Sequence, residues 1–286
     1  MAVEFSLQEL KELYLSDEFI KIYDDAFSGF PGSPKYPEIL EIDGFPVHFD
    51  PNAEMINVSF SGGADSSMLT VLLAKLIQKY KLKTKITPVY MARFTYSKPW
   101  LEPMALDVYN YIKNMFPDII QDIQTGFIPE IFETTDFTFK YEKQYEDFPK
   151  EAGLDAIYAG SFGVYMVKKL GASRTYSGTT MNPPPINEDA EIIPFREEEV
   201  IMSTNHWVIG PFHINPLGYL RKDFTMAMYE KYDLYDLLKL TRSCEVNLVG
   251  LGEDYKYVDG VYPPECGHCF FCLEKKWGIE NMGKFL

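Results

Sequence analysis

One turn constrains this chain more than anything else in it. A mostly apolar run, Met55 to Phe60, leads into Ser61-Gly62-Gly63-Ala64-Asp65-Ser66-Ser67, and a largely apolar stretch continues to Tyr80. The pattern predicts a buried strand over 55–60, a tight turn, and a helix from about Ser66 to Tyr80. The amides that open such a helix have no intrahelical partner, and the helix dipole favours negative charge there. Gly62 and Gly63 let the backbone approach oxygens closely. Ser61, Ser66 and Ser67 add hydroxyls, and Asp65 is an acceptor among donors. It suits Mg²⁺ or a helix cap. These properties fit a phosphate site. The turn is not a Walker loop, because no Gly-Lys-Ser/Thr follows. Glycine turns before helices also occur without any ligand.

The segments that follow repeat the alternation. Ile86–Met91 reads as a strand, Pro103–Met115 as a helix and Asp118–Gln124 as a strand. A β-α-β-α-β order implies a parallel sheet with right-handed crossovers, hence an α/β fold with helices on both faces. A helix is expected over Leu154–Leu170, stopped by Gly171, then a strand over Arg174–Ser177. An acidic, proline-rich insertion occupies 178–200, and a helix is expected over Leu220–Tyr232. Ahead of the core, residues 3–27 read as an amphipathic helix pair, and 28–54 as irregular chain or a short hairpin. Three parts are expected: an accessory extension (1–52), an α/β domain that carries the glycine turn (53–212), and a helical, cysteine-bearing part (213–286).

Charge and composition exclude several classes. The chain has 286 residues, a formal net charge of −15 and 46% hydrophobic residues, enough to bury a core. The acidic balance argues against an extended nucleic-acid surface, which needs a basic footprint. Met68–Ile77 is the longest apolar stretch and is far too short to span a bilayer. The acidic N-terminus lacks the basic and apolar regions of a secretory leader, so a cytoplasmic location and no membrane partner are expected.

That compartment bears on the four cysteines. Cys266, Cys269 and Cys272 form a C-x-x-C-x-x-C run, with Cys244 upstream. Four thiolates suit one tetrahedral Zn²⁺ with no open position, which is a structural site. An iron–sulfur cluster fits the same ligands. Disulfides are disfavoured in the cytosol.

The full string S-G-G-A-D-S-S resembles the pyrophosphate loop of the PP-loop ATP pyrophosphatases, whose fold is adenine nucleotide alpha hydrolase-like. With the cysteine-bearing tail, the chain resembles the 7-cyano-7-deazaguanine synthase (QueC) family from about Met55 to Trp277. Tyr90-x-x-Arg93, Gly171-Ala172…Ser177-Gly178-Thr179 and His213-x-Asn215-Pro216-Leu217…Lys222 extend the likeness. The resemblance implies ATP, Mg²⁺ and Zn²⁺ as cofactors, with a small carboxylate, 7-carboxy-7-deazaguanine, and ammonia as further substrates. It implies that Ser59, Phe60, Ser61, Gly62, Gly63, Ala64, Asp65, Ser66 and Ser67 form the nucleotide loop. Asp65, Lys222 and Arg93 would be catalytic, and Cys244, Cys266, Cys269 and Cys272 would hold zinc. A homodimer or a protein partner would use the N-terminal extension.

The chain departs from that family at the base pocket. Where the family has P-G-R-N, this chain reads Ala156-Ile157-Tyr158-Ala159-Gly160-Ser161-Phe162. Where the family has S-G-Y-P-D-C-R, it reads Thr179-Thr180-Met181-Asn182-Pro183-Pro184-Pro185. Three alternatives follow: a paralogue acting on another carboxylate (a modified base or a protein terminus), a sulfur-transfer or reductase relative, and a non-catalytic nucleotide-binding module.

Overall fold

The computed structural model describes residues 5–27, 36–92, 98–127, 162–163, 165–184, 208–210, 212–244, 258 and 261–286. The chain opens with α1 (Leu7–Leu15) and α2 (Asp17–Phe27). Ser6 and Glu9 close a reciprocal capping box at the start of α1, with bonds of 3.2 and 2.8 Å. A hairpin follows, β1 (Glu38–Ile42) antiparallel to β2 (Phe45–Phe49). Asp43 and Gly44 at its tip both have positive φ, 52° and 87°, the tight turn that Asp-Gly favours.

The main sheet is built from β3 (Met55–Ser59), β4 (Lys85–Ala92), β5 (Gln124–Phe127), β6 (Thr175–Tyr176), β7 (Val208–Gly210) and β8 (His213–Ile214). Its spatial order is β5-β4-β3-β6-β8-β7, parallel except for β7. The crossovers are α3 (Ala64–Tyr80) and α4 (Leu101–Met115). Among the described residues three further α-helices follow, α5 (Lys222–Lys231), α6 (Tyr235–Leu240) and α7 (Phe270–Asn281), and a 3-10 turn over Met282–Phe285 ends the chain.

Side chains alternate along each strand, so each face has its own cover. Ile56, Val58, Ile86, Tyr176 and Ile214 lie in one core with Leu72 of α3 and Phe224 of α5. Leu10, Tyr14, Phe45 and Phe49 from the N-terminal residues join the same core. Tyr90 and Ala92 pack on Ala105 of α4. On the opposite face Val89 and Met91 meet Phe162 and Met166, where residues 165–170 are helical. The fold is therefore α/β, with helices on both faces of a parallel sheet.

The strand expected at Asp118–Gln124 begins instead at Gln124 and ends at Phe127. Ile119 and Ile120 are buried beneath the end of α4, and Ile120 makes only a single bridge to Ile86. Their hydrophobicity serves the helix–sheet junction, and ladder pairing starts later. Residues 154–161 of the expected helix lie outside the described residues. Its end is as expected: Gly171 has φ +70° and the Ala172 amide donates to the Val167 carbonyl at 3.0 Å. Among the described residues no helix is long and apolar enough to cross a membrane.

Candidate functional site

Strand order reverses beside β3. The chain leaves β3 for β4 on one side and later returns to β6 on the other, so a crevice opens above the ends of β3 and β6. Open parallel sheets bind ligands at such a switch point. The Ser61–Ser67 turn fills one wall of this crevice. Gly62 has φ +73°, and a Cβ there would lie 2.7 Å from the Ala105 backbone. A side chain is excluded twice, by conformation and by space. Gly178, just after β6, packs directly against the start of α3; a Cβ on it would lie 2.9 Å from the Asp65 carbonyl carbon.

The loop's own hydroxyls brace it. Ser61 Oγ and Ser66 Oγ are 3.0 Å apart, and the Gly63 amide donates to Ser61 Oγ at 3.2 Å. Ser67 Oγ donates to the Gly63 carbonyl at 2.7 Å and Ser66 Oγ at 3.3 Å. Ser66 and Ser67 are thus engaged within the turn, while Ser61 is exposed. Phe60 is buried and its amide donates to the Val89 carbonyl at 2.8 Å. Ser59 turns its Oγ onto the other face of the sheet, where it is buried without a partner.

Gly63 is the N-cap of α3, and no side chain caps this helix. Asp65 sits in the first turn and does not cap it. Among the described residues no side chain takes the opening amides of Ala64, Asp65 and Ser66, an arrangement that can receive an anion.

Asp65 faces α5. Its Oδ2 accepts from Lys222 Nζ, and its Oδ1 is buried with no partner. Lys222 is itself 2% exposed and its Nζ also lies 3.4 Å from Glu274 Oε2 on α7. One cation thus stands between two carboxylates at the mouth of an uncapped helix. An isolated buried ammonium would be very costly, and the carboxylates beside it compensate its charge. Tyr229 of α5 secures this arrangement, donating to the Ala64 carbonyl at 2.9 Å.

Sequence reasoning singled out Asp65 and Lys222, and the fold brings them into contact. It missed Glu274, whose only clue is its place two residues after Cys272. It missed the Arg242-Ser243 passage as well. Ser243 Oγ and the Arg242 carbonyl would lie 3.4 and 3.5 Å from a Cβ on Gly63. Arg93 lies outside the described residues.

Cys244, Cys266, Cys269 and Cys272 converge, with all four Sγ atoms within 4.8 Å of one another. Cys266 to Cys272 and Cys244 to Cys269 are each 3.9 Å. A disulfide needs about 2.05 Å, so none of the four is in a disulfide. A tetrahedral ion with metal–sulfur bonds of about 2.3 Å sets its thiolates about 3.8 Å apart. The group fits one such ion. A cluster that gives each thiolate its own iron needs wider spacing. Burial pushes the Cys266 thiol up, but the amides of His268 and Cys269 and the neighbouring thiols outweigh it and hold it at about 6. Burial and the neighbouring thiols push the Cys272 thiol up, so in the absence of an ion Cys266 takes the thiolate first and Cys272 keeps its proton.

No protein-family model and no curated protein matches this chain. Among solved structures, it is similar to the U34-tRNA thiolase NcsA from Methanococcus maripaludis with its 4Fe-4S cluster. The identity is 10%, the TM-score 0.36, and the match covers 63% of this chain. It covers 56% of that chain, so the match spans little more than half of the thiolase.

Proposed function

We propose that this chain is an ATP-dependent adenylating enzyme of the PP-loop type, resembling 7-cyano-7-deazaguanine synthase. What supports the reading most is one juxtaposition: the uncapped start of α3, the unpartnered Asp65 Oδ1 and the buried Lys222 share the sheet's switch point. In this reading a carboxylate oxygen of 7-carboxy-7-deazaguanine attacks the α-phosphorus of ATP. The bond to the bridging oxygen breaks and pyrophosphate leaves. Ammonia attacks the acyl carbon and displaces AMP, giving the amide. A second ATP activates the amide oxygen, and loss of AMP and a proton gives the nitrile.

The chain's own part is to hold and neutralise. Amides of residues 64–66 bind the departing pyrophosphate, and Lys222 turns from Asp65 to a phosphate oxygen. Asp65 would hold Mg²⁺, which would supply positive charge to shield the phosphates. Such fixed donors act on charge as it develops and need no reorganisation. The ion proposed for the four cysteines is Zn²⁺, in a closed structural role.

A second reading keeps the chemistry and changes the acceptor. The Ala156–Phe162 and Thr179–Pro185 stretches lack the family's base-reading residues, which favours another carboxylate.

Protein of verified zinc content, incubated with Mg-ATP, ammonium and the deazaguanine acid, should yield nitrile, AMP and pyrophosphate by mass spectrometry. Asp65→Asn should stay folded and lose turnover by about a hundredfold or more. ADP and phosphate as products, or full activity of Asp65→Asn, would sink the reading. ATP binding with no nitrile, amide or adenylated acid selects the other acceptor. An iron chromophore overturns zinc.

A further inference from the structure

The cysteine group and the nucleotide loop are joined twice. Cys244 directly follows Ser243, which lies against Gly63. Cys269 is the N-cap of α7 and Cys272 sits in its first turn, so whatever holds those thiols holds the start of that helix. Two residues later α7 presents Glu274, 0% exposed, to Lys222. The two helices are in close contact: a Cβ on Gly278 would lie 2.8 Å from Lys222 Cγ and 3.0 Å from Met226 Cγ. Only glycine lets α7 come near enough for Glu274 to reach the ammonium.

We propose that Glu274 is a positioning residue for Lys222, and that through it an ion on the four cysteines raises the loop's affinity for nucleotide. The inference rests on the nucleotide reading above. The reason lies in what each carboxylate does when a triphosphate arrives. Asp65 is drawn to the cation that accompanies the phosphates, so it cannot also hold Lys222. Glu274 remains the ammonium's partner in both states. It keeps a flexible four-carbon side chain at the crevice while Asp65 changes partners. Without the ion, the first turn of α7 loses its anchor and Glu274 its fixed place. Of its two carboxylate partners among the described residues, Lys222 then keeps Asp65, and that pair must be broken before nucleotide can bind. A simple buried ion pair would stabilise the fold without linking the two sites.

The test measures affinity for Mg²⁺ with a non-hydrolysable ATP analogue, by calorimetry, in zinc-loaded and chelator-stripped full-length protein. Wild type should bind about tenfold more tightly when loaded, the scale of an ordinary coupling between sites. Glu274→Gln should keep its zinc, measured by metal analysis, and bind with the same weak affinity in both states. A loaded-to-stripped ratio equal in wild type and Glu274→Gln overturns the inference, as does a wild-type ratio of one. No binding in either state overturns the nucleotide reading and this inference with it.

Chelation can also unfold the chain, so a second measurement uses loaded protein alone. The rate of Lys222 Nζ acylation, followed by peptide mass spectrometry, should rise several-fold in Glu274→Gln and stay near wild type in Glu274→Asp. An unchanged rate in Glu274→Gln overturns the proposal independently.

Discussion

Across β3, β6 and β8 the two faces of the sheet come from the same strands and carry opposite chemistry, while over β4 the second face is apolar too, where Val89 and Met91 meet Phe162 and Met166. Under α3 the paired positions Ile86, Ile56 and then Val58, Tyr176, Ile214 are apolar and buried. One residue out of phase, Thr87, Asn57, Thr175 and His213 form a polar row that is just as buried. With Ser59 and Ser177, that face holds seven side-chain nitrogens and oxygens that have no hydrogen-bond partner among the described residues: two each on Asn57 and His213, and one each on Ser59, Thr175 and Ser177. An unmade bond of this kind costs about 1–3 kcal/mol. The first face therefore carries the stability of the sheet, and the second draws on it. The division matters for the site, because α3 begins with the loop and is seated by the apolar face.

The largest expected effect comes from breaking the apolar face. Ile56→Ala should cost about 2–5 kcal/mol, the range for deleting a buried aliphatic side chain. Urea unfolding checks it, and a loss below about 1 kcal/mol would show that the two faces do not differ as described.

Most of the apolar face was legible in the sequence, since runs such as Met55–Ser59 are what a buried parallel strand requires. The same holds for α3, found at Ala64–Tyr80, and for the glycine turn. The polar row was not legible, because Thr175 and His213 belong to two-residue strands too short to show a period. The hairpin at Asp43-Gly44 carried a recognisable turn signal, yet the prolines around it left irregular chain equally open. At the site, Asp65 and the cysteines had local patterns to announce them. Glu274 had none: its role depends on α7 lying across α5, a contact between residues 52 apart in sequence that only the fold supplies.

A middle-sized effect should follow from pH. Burial lowers the pKa of His213 to about 4. Burial and the charge of Arg174 also hold His48 well below the usual histidine value. Both are neutral in the fold, whereas the unfolded chain takes up protons near 6.5. Stability present above pH 6.5 is therefore lost as pH falls toward the folded pKa. The slope is about 1.4 kcal/mol per pH unit for each such histidine. Between pH 6.5 and 5, His213→Gln should remove about half of the slope that the two histidines produce. An unaltered slope would mean that His213 is charged in the fold, and so has an acceptor on the polar face.

The smallest effect should be at Thr175, and its sign is the sharper test of the comparison. Its Oγ1 is buried and unpartnered, and a Cβ on Gly163 would lie 3.1 Å from it. Valine has nearly the same shape and loses only the hydroxyl. Removing an unpaired hydroxyl recovers its desolvation cost and breaks no bond, so Thr175→Val should be neutral or stabilising by up to about 1 kcal/mol. The mirror change on the other face, Val58→Thr, buries a hydroxyl among Ile56, Tyr176 and Ile214 and should cost about 1–3 kcal/mol. Paired urea titrations of the two variants separate the faces directly. If Thr175→Val instead loses more than about 1 kcal/mol, a bound water satisfies Oγ1, and the polar row is a hydrated seam that supports the sheet.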